Sequence, residues 1–346
     1  MSDKESPQVA HGDTTDVGRP SKKRKCTAHC KRFWWAYLIA FCCIVVLVVC
    51  LVIFVGVPNI AQDKLDEAKL NIDGVNILET EPDAYLMEVN STITTDGSIH
   101  ADVDAFTGTM YLEGIEPRLA FATLDFPATT AEKHQTVNVS QQVTIADMDA
   151  FTTFNVWFTN NETVQISVEG DTKVKPRGLS RKYDVTFRKT LDVSGLNLFK
   201  GTEVLVDDAE LSLEKDDAGK NFYGKADIPN ASHFTLDIGN VTFTNFVEDE
   251  DVGTIWINNL MLYPGSNVVD ISASLDQVSI VNLLSSEKYC EKGIIPFKML
   301  GKSVKNHGED LSYFATALAS ANQTTNIDIG SIVKKNLGMT IGCGSD

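Results

Sequence analysis

The sequence predicts a mainly β protein with tandem antiparallel β-sandwiches and a few short helices, placed after one transmembrane helix. Three observations predict this architecture. An uncharged apolar run covers residues 33–57, and short alternating segments separated by turn residues begin at residue 71. A similar order of segments then recurs roughly 125 residues later, a spacing that suits one sandwich.

The apolar run reads FWWAYLIAFCCIVVLVVCLVIFVGV from Phe33 to Val57. At about 1.5 Å of rise per residue, a helix of this length exceeds the roughly 30 Å hydrocarbon core of a bilayer. A cleaved signal peptide has a shorter apolar core followed by a small-residue exit site. The run therefore predicts a retained transmembrane helix over 33–57.

The two flanks of this helix differ in charge, which predicts its orientation. Basic residues stay on the cytosolic side, and the N-terminal flank carries six of them: Lys22, Lys23, Arg24, Lys25, Lys31 and Arg32. We expect a cytosolic N-terminus and a lumenal or extracellular C-terminus. Residues 1–32 have almost no large apolar side chain, which predicts a disordered basic tail. Cys26 and Cys30 are either palmitoylation sites beside the membrane or two unmodified thiols.

The part beyond the membrane is strongly acidic. Of the 30 Lys/Arg and 47 Asp/Glu in the chain, residues 58–346 contain 22 and 43, a net charge of −21. Such a surface repels nucleic acid, so no nucleic-acid partner is expected. Cys290 and Cys343 are the two cysteines in this part, and in an oxidising compartment they most simply form one disulfide, with free thiols as the alternative.

Six Asn-X-Ser/Thr sequons also lie beyond the membrane. Together with the expected orientation, they predict that the chain passes through the secretory pathway and is N-glycosylated at some of these positions. The six asparagines are Asn90, Asn138, Asn161, Asn230, Asn240 and Asn322.

The chain from residue 58 divides into three predicted parts. Residues 58–70 are expected to continue the helix or form a stiff stalk, 71–195 to form the first β-sandwich, and 196–346 to form the second. In the first, VNSTIT and SIHADV flank Asp96-Gly97, the signal of a hairpin. In the second, a closing amphipathic helix places its apolar side chains on one face: Leu311, Phe314, Ala315 and Leu318.

One helix is predicted within the first sandwich, where DMDAFTTFNVWFTNN carries apolar residues at helical spacing with Asp147 or Asp149 as N-cap. Its aromatic side chains allow two interpretations. They pack the helix onto the sheet, which we favour, or they line an apolar slot for a lipid. The residues concerned are Phe151, Phe154, Trp157 and Phe158.

No motif in the sequence predicts catalysis, because no nucleophile elbow, metalloprotease helix or phosphate-binding glycine loop occurs. His100, Asp102 and Asp104 share one face of a predicted strand and could converge on a metal, but a solvated face is the preferred interpretation. We therefore expect no enzyme activity, no metal and no cofactor.

Several segments resemble one family. The run TLDFPATTAEKHQTVNVSQQVTIADMDAFTTFN at 123–155, then GKADIPNASHFTLDIGNVT and NLMLYPG, are similar to the fungal family of domain of unknown function 3712. The resemblance implies a single-pass membrane protein whose lumenal domains are similar to late-embryogenesis-abundant group 2 sandwiches. A vacuolar-membrane relative implies a vacuolar or other endomembrane location rather than the plasma membrane. The family implies no catalytic residues.

These inferences predict a non-enzymatic, membrane-anchored lumenal scaffold or interaction module of the fungal endomembrane system. Its expected partners are the membrane and a protein on the lumenal side. The alternative is a lipid-handling β-sandwich module at the membrane surface. A continuous apolar cavity beside 151–158 would favour the lipid module, and a packed interior the scaffold.

Overall fold

A computed structural model describes residues 22–340 and Cys343, with side chains from Phe33 onward. The chain divides into two compact units, Met1–Asn59 and Ile60–Asp346. The predicted disordered tail lies outside the described residues up to residue 21, whereas the backbone from Lys22 to Arg32 is helical.

The first unit is built on helix α1, Lys22–Leu51, whose backbone leaves helical angles at Phe33 (φ −117°, ψ 19°). A π-helical turn, Val52–Gly56, follows, and then helix α2, Val57–Glu67. Phe33–Glu67 is one candidate membrane-spanning helix by length and composition. The predicted stalk over 58–70 is therefore helical as far as Glu67, and the first strand starts at Lys69.

Within its described residues, the second unit contains the end of α2, two β-sheets and four further α-helices, so the predicted mainly β fold is confirmed. The helices are α3 (Met148–Asn160), α4 (Gln277–Leu284), α5 (Ser312–Ala319) and α6 (Ile329–Leu337). The strands are β1 (Lys69–Leu78), β2 (Ala84–Thr94), β3 (Ala101–Val103), β4 (Phe106–Leu112), β5 (Leu119–Phe126), β6 (Thr129–Thr130), β7 (His134–Thr144), β8 (Thr163–Pro176), β9 (Tyr183–Ser194), β10 (Glu203–Val204), β11 (Glu210–Leu211), β12 (Phe222–Asn230), β13 (Phe234–Val247), β14 (Glu250–Leu262), β15 (Gly265–Leu275), β16 (Ile294–Asn306), β17 (Glu309–Asp310) and β18 (Gln323–Asp328).

Strand pairing distributes these strands unequally between the two sheets. The larger sheet has the order β10-β12-β15-β14-β13-β1-β2-β7, with β11 on β12, β16 also on β13, and β17 and β18 on β16. The smaller sheet has the order β5-β4-β8-β3-β6, with β9 on the other side of β8. The pairings are antiparallel except for β1 with β13, which is parallel and sets Val75 opposite Phe234.

Strand β13 joins the two predicted halves because it changes partner along one edge. Its first residues pair with β1, and from Asn240 to Phe246 the same edge pairs with β16. Gly239 lies at the changeover with φ +85°, and a Cβ there would lie 2.5 Å from the Lys305 carbonyl oxygen. Only glycine fits this left-handed, crowded position without distortion.

The predicted division at 195/196 does not separate two compact units. One hydrophobic core extends from Val75 to Val333, and residues 60–346 form one unit. Polar contacts also cross the division, since Thr80 Oγ1 donates to the Asp237 carbonyl over 2.7 Å and Asn306 Nδ2 donates to Thr80 Oγ1 over 2.9 Å. The physical reason is β13, because its two partners on one edge, β1 and β16, come from opposite halves of the sequence.

Two local predictions differ from the structure. The segments flanking Asp96-Gly97 do not pair, because β2 belongs to the larger sheet and β3 to the smaller one. Asp96 Oδ1 accepts from the Ser98 amide over 2.9 Å, so this turn carries the chain from one sheet to the other. The amphipathic helix α5 does not close the chain either, since β18 and α6 follow it.

Candidate functional site

Helix α3 begins as its sequence predicts. Asp147 is the N-cap, and its Oδ1 accepts from the Ala150 amide over 2.9 Å. The helical repeat then directs Phe151, Phe154 and Phe158 to one face, where all three are buried. At the other end, the Phe158 carbonyl accepts from the Leu196 amide over 2.8 Å, so the chain after β9 completes the helix.

The three phenylalanines each contact a ring from another element. Phe151 stacks on Tyr85 with ring centroids 5.2 Å apart, and Phe154 stacks on Phe121 at 4.2 Å. Phe158 contacts Phe234 at 4.9 Å. Offset and edge contacts of this kind are the preferred geometry of aromatic pairs in cores. The side chains considered for an apolar slot therefore fill the space between helix and sheets, with Trp157 half-buried at the rim beside Gly114.

The same cluster contains two buried tyrosines, Tyr85 of β2 and Tyr313, and the second joins α3 to the C-terminal half. Phe151 meets Tyr313 of α5 edge-on at 5.0 Å, and the Tyr313 hydroxyl donates to the Glu81 carbonyl over 3.0 Å. Burial raises the pKa of both Tyr85 and Tyr313 well above the usual tyrosine range, so both stay neutral. This arrangement is structural, because both hydroxyls lie inside the core.

An apolar cavity of about 40 Å³ lies in the C-terminal half instead, lined by side chains of β10, β12 to β16 and β18, together with Phe199, Thr202 and Leu318. Its walls are aliphatic and aromatic side chains, with two threonines and one glutamine at one side. The lining includes Phe199, Ala226, Ile257, Ile271, Met299 and Ile327. No sequence pattern predicts this cavity, because strands alternate in the same way whether the space between them is filled or open.

One border of this cavity is a seam between β10 and β18. The Thr325 hydroxyl donates across it to the Thr202 carbonyl. Beside the seam, Asn197, Leu198 and Phe199 have φ values of 48°, 53° and 53°, a left-handed turn that directs the Phe199 ring toward the cavity. Side chains with a Cβ rarely adopt this conformation, so the turn is held by its surroundings.

A second apolar feature is an exposed groove between α4 and α6, which we call the α4–α6 groove. Leu213, Val281 and Met339 line it and are exposed, and Val278 lies one turn before Val281 on α4. Below them the groove is floored by buried side chains, among them Ile280 and Ile332. Exposed aliphatic side chains in one contiguous patch are typical of a surface that binds a partner.

A charged network covers the outer face of the smaller sheet. Arg118 binds Glu113 and Glu169 over 2.8 Å each, and its guanidinium lies 4.4 Å from the centre of the Tyr111 ring. The buried Ser167 hydroxyl donates to Glu113 Oε1 over 2.5 Å. This hydrogen bond, followed by that from Arg118, holds the pKa of Glu113 below its usual range. Sequence reasoning missed the network because its members come from two segments, 111–118 and 167–169, that are distant in sequence.

The structure pairs the two cysteines beyond the predicted membrane helix. Cys290 and Cys343 form a disulfide with Cα atoms 4.9 Å apart, as the sequence predicts. The side chains of Cys26 and Cys30 lie outside the described residues, so palmitoylation there stays a prediction.

The six sequons lie in two different environments. Five of the six asparagines are exposed: Asn90, Asn138, Asn161, Asn240 and Asn322. Asn230 is 2% exposed, and its Nδ2 donates to the Phe234 carbonyl over 2.7 Å. Since oligosaccharide is attached at Nδ2, a glycan at Asn230 is incompatible with this fold.

The candidate metal row does not converge. Asp104 binds Lys182 over 2.6 Å, while His100 and Asp102 are exposed. Over residues 22–340 and Cys343, no group of three or more His, Cys, Asp or Glu side chains is arranged to hold a metal ion.

The family comparison covers the middle of the second unit. Residues 119–245, from the start of β5 into β13, match the family model described as "Protein of unknown function (DUF3712)". This segment matches DUF3712. The DUF3712 match contains α3 and the Gly239 changeover, and it crosses the 195/196 division, in line with the continuous core described above.

Two solved structures show distant similarity, and no curated protein sequence matches the chain. Red sea bream transglutaminase has 12% identity and a TM-score of 0.27, over 75% of this chain and 31% of that one. The chain thus spans about a third of that structure's length. A bacterial adhesin from Mobiluncus mulieris with disulfide, isopeptide and ester bond cross-links has 11% identity and a TM-score of 0.18, over 75% of this chain and 98% of that one. At these scores the similarity carries no functional argument.

Proposed function

We propose that this chain is a non-enzymatic, type II membrane-anchored scaffold or interaction module of a fungal endomembrane, with the vacuolar membrane favoured. In this proposal the N-terminus is cytosolic, and Ile60–Asp346 is a lumenal body similar to late-embryogenesis-abundant group 2 domains. The apolar helix and its basic flank support the anchoring and the orientation. The DUF3712 match and the resemblance described above support the location.

The observation that carries the interaction function is the α4–α6 groove. Its exposed lining consists of Leu213, Val281 and Met339, which are 61%, 45% and 43% exposed. Removing these side chains from water on binding is favourable, at about 25 cal/mol per Å² of apolar surface. The partner we propose is a lumenal protein that presents its own apolar surface to the groove.

Orientation is tested first, on sealed vesicles. Added protease should remove only the segment before the helix, and endoglycosidase should increase the gel mobility of the full chain. A protease-protected N-terminus together with an unchanged mobility after endoglycosidase would contradict the proposed orientation.

The interaction surface is tested with two matched substitutions in the full chain. Val281→Asp places a charge on the α4–α6 groove, where Val281 is 45% exposed, and Val268→Asp places one on β15, where Val268 is 57% exposed. Proximity labelling from the lumenal side should lose specific neighbours with Val281→Asp and keep them with Val268→Asp. Identical neighbour sets for both variants would contradict the groove as the binding surface.

Lipid handling is the second candidate, and the cavity beneath Phe199 supports it. Its volume of about 40 Å³ compares with the 10–15 Å³ needed to hold one water, so an acyl chain enters only if the β10–β18 seam opens. A photoreactive fatty acid should then label the wild-type chain in membranes. Ala226→Leu, which fills the cavity, should reduce labelling, whereas Ala122→Leu in the first half should not. Equal labelling of all three would contradict this second function.

A further inference from the structure

The outer face of the larger sheet carries two aromatic side chains around a small one. In the strand register, Tyr223 of β12 lies opposite Ser272 of β15, and Ser272 lies opposite Trp256 of β14. Because neighbouring strands are about 4.8 Å apart, the backbones of the two aromatic residues lie about 9.6 Å apart, with only the serine between them. We call the space bounded by these three residues the aromatic slot.

A cation of the chain itself already occupies the aromatic slot. Lys220, from the turn before β12, places its Nζ 5.3 Å from the Trp256 ring centre and 5.9 Å from that of Tyr223. Distances within about 6 Å are those at which an aromatic face attracts a positive charge. The slot thus has the dimensions and the electrostatics of a two-walled ammonium site.

A carboxylate completes the site. The Tyr223 hydroxyl donates to Asp216, and the same carboxylate accepts from the amides of Ala218 and Lys220 over 2.9 and 2.8 Å. These bonds fix Asp216 beside the Tyr223 wall. The unit around the slot has a strongly negative net charge, which raises the local concentration of cations.

We propose that the aromatic slot is a binding site for a quaternary ammonium group, with Lys220 as its internal competitor. A trimethylammonium cation is weakly hydrated and fits between Trp256 and Tyr223, so it gains more from the aromatic faces than the strongly hydrated lysine ammonium loses. Tyr223 is 41% exposed, so a ligand reaches the slot from solvent. The slot lies apart from the cavity beneath Phe199, and the proposal does not depend on lipid handling.

The test uses the full chain in maltoside detergent, which has no ammonium group, and measures saturation transfer to ligand methyl protons. Choline is the probe, and 3,3-dimethyl-1-butanol is its uncharged control of the same shape. Choline should bind and the alcohol should not. Lys220→Gln should tighten choline binding, whereas Lys225→Gln, which removes the same charge from the neighbouring strand position, should not.

Removing the Tyr223 ring, one wall of the aromatic slot, should weaken choline binding. Tyr223→Leu should weaken choline binding about two- to fivefold, the equivalent of one exposed cation–π contact, while the exposed Tyr263→Leu leaves it unchanged. Equal binding of choline and the alcohol, or equal effects of Lys220→Gln and Lys225→Gln, would overturn the proposal. Absence of choline binding to both wild type and Lys220→Gln would overturn it as well.

Phosphocholine distinguishes the two sources of this ligand chemistry. If the natural ligand is a headgroup, the displaced Lys220 ammonium pairs with the phosphate, and Lys220→Gln weakens phosphocholine while tightening choline. If it is a free quaternary ammonium compound, Lys220→Gln tightens both. Each result supports the aromatic slot as a binding site and shows which of the two sources supplies the natural ligand.

Discussion

At the scale of single residues, Asn230 holds the turn between β12 and β13 with its side chain. Its Nδ2 donates to the Phe234 carbonyl, and its Oδ1 accepts from the amide of Ser232 over 3.0 Å and from the Ser232 hydroxyl over 2.6 Å. All of these groups are buried. The side chain therefore replaces backbone hydrogen bonds that the turn cannot make for itself.

Asn230→Gln should destabilise the protein even though no glycan is lost. The longer side chain cannot reach the same partners, and a buried group left without a hydrogen bond costs about 1–3 kcal/mol. Thermal unfolding of the enzymatically deglycosylated chain measures the effect. Asn322→Gln at an exposed sequon is the control and should leave the midpoint unchanged, while equal midpoints for both variants would contradict the role given to Asn230.

Glu113 gives the protein part of its acid sensitivity. Its folded-state pKa is lowered by the Ser167 hydroxyl and Arg118, so the folded state binds fewer protons than the unfolded chain in acid. The ionised Glu113 therefore stabilises the folded state at pH values above the usual glutamate pKa of about 4.3. This stabilisation is lost as the pH falls toward the lower pKa that Glu113 has in the folded state.

Glu113→Gln should therefore flatten the acid dependence of stability. Between about pH 5 and about pH 3, the melting temperature should fall less steeply in the variant than in wild type. Glu203→Gln, at an exposed glutamate on β10, is the control and should keep the wild-type slope. Parallel curves for wild type and Glu113→Gln would show that the network does not titrate as described.

At the scale of elements, α3 connects both sheets and the C-terminal half through one face of rings. Phe154 lies at the centre of this face, stacked on Phe121, and its ring centroid is 5.8 Å from that of Phe158.

Phe154→Ala should lower the free energy of unfolding by about 3–5 kcal/mol, the usual range for an aromatic ring deleted from a core. That is a large share of the 5–15 kcal/mol that typically stabilises a domain.

The cost is measured by denaturant or thermal unfolding, with Thr152→Ala on the other face of α3 as the control. The control should change stability by less than about 0.5 kcal/mol. A Phe154→Ala chain as stable as the control would instead favour the apolar slot that the sequence left open.

Helix α3 was predictable from sequence because its signals are local. An aspartate N-cap and rings at helical spacing lie within one window, and the predicted range of 147–161 differs from Met148–Asn160 only at its ends. The Asp96-Gly97 hairpin was not predictable, because an Asp-Gly turn fixes the local backbone but not the strand that each flank joins. The changeover at Gly239 depends on β1 and β16, which are distant in sequence.

At the scale of the whole molecule, the Cys290–Cys343 disulfide ties the end of the chain to the turn after α4. The two cysteines are 53 residues apart, and closing a loop of that size removes unfolded-state entropy equivalent to about 4 kcal/mol.

The double variant Cys290→Ser/Cys343→Ser should have a lower melting temperature than wild type. Reductant should produce the same decrease in wild type but none in the double variant. A reductant-insensitive wild type would contradict this role.

The division into two sandwiches illustrates the limit of sequence reasoning at this scale. Repeated segments and a plausible domain length both indicated a division near 195/196. Long-range pairing decides the outcome instead, because β13 accepts β1 from the first half beside β16 from the second. The aromatic slot has the same origin, since Tyr223, Trp256 and Ser272 come together only through register.

The parallel pairing of β1 with β13 also affects how the chain is made. Val75 meets Phe234, a partner that a ribosome working at 5–20 residues per second adds about 8–30 s later. During that interval one edge of β1 has no strand beside it, in the part of the fold synthesised first. Biogenesis therefore passes through a stage in which the earliest strand depends on chaperones or on transient contacts until the distant strand arrives.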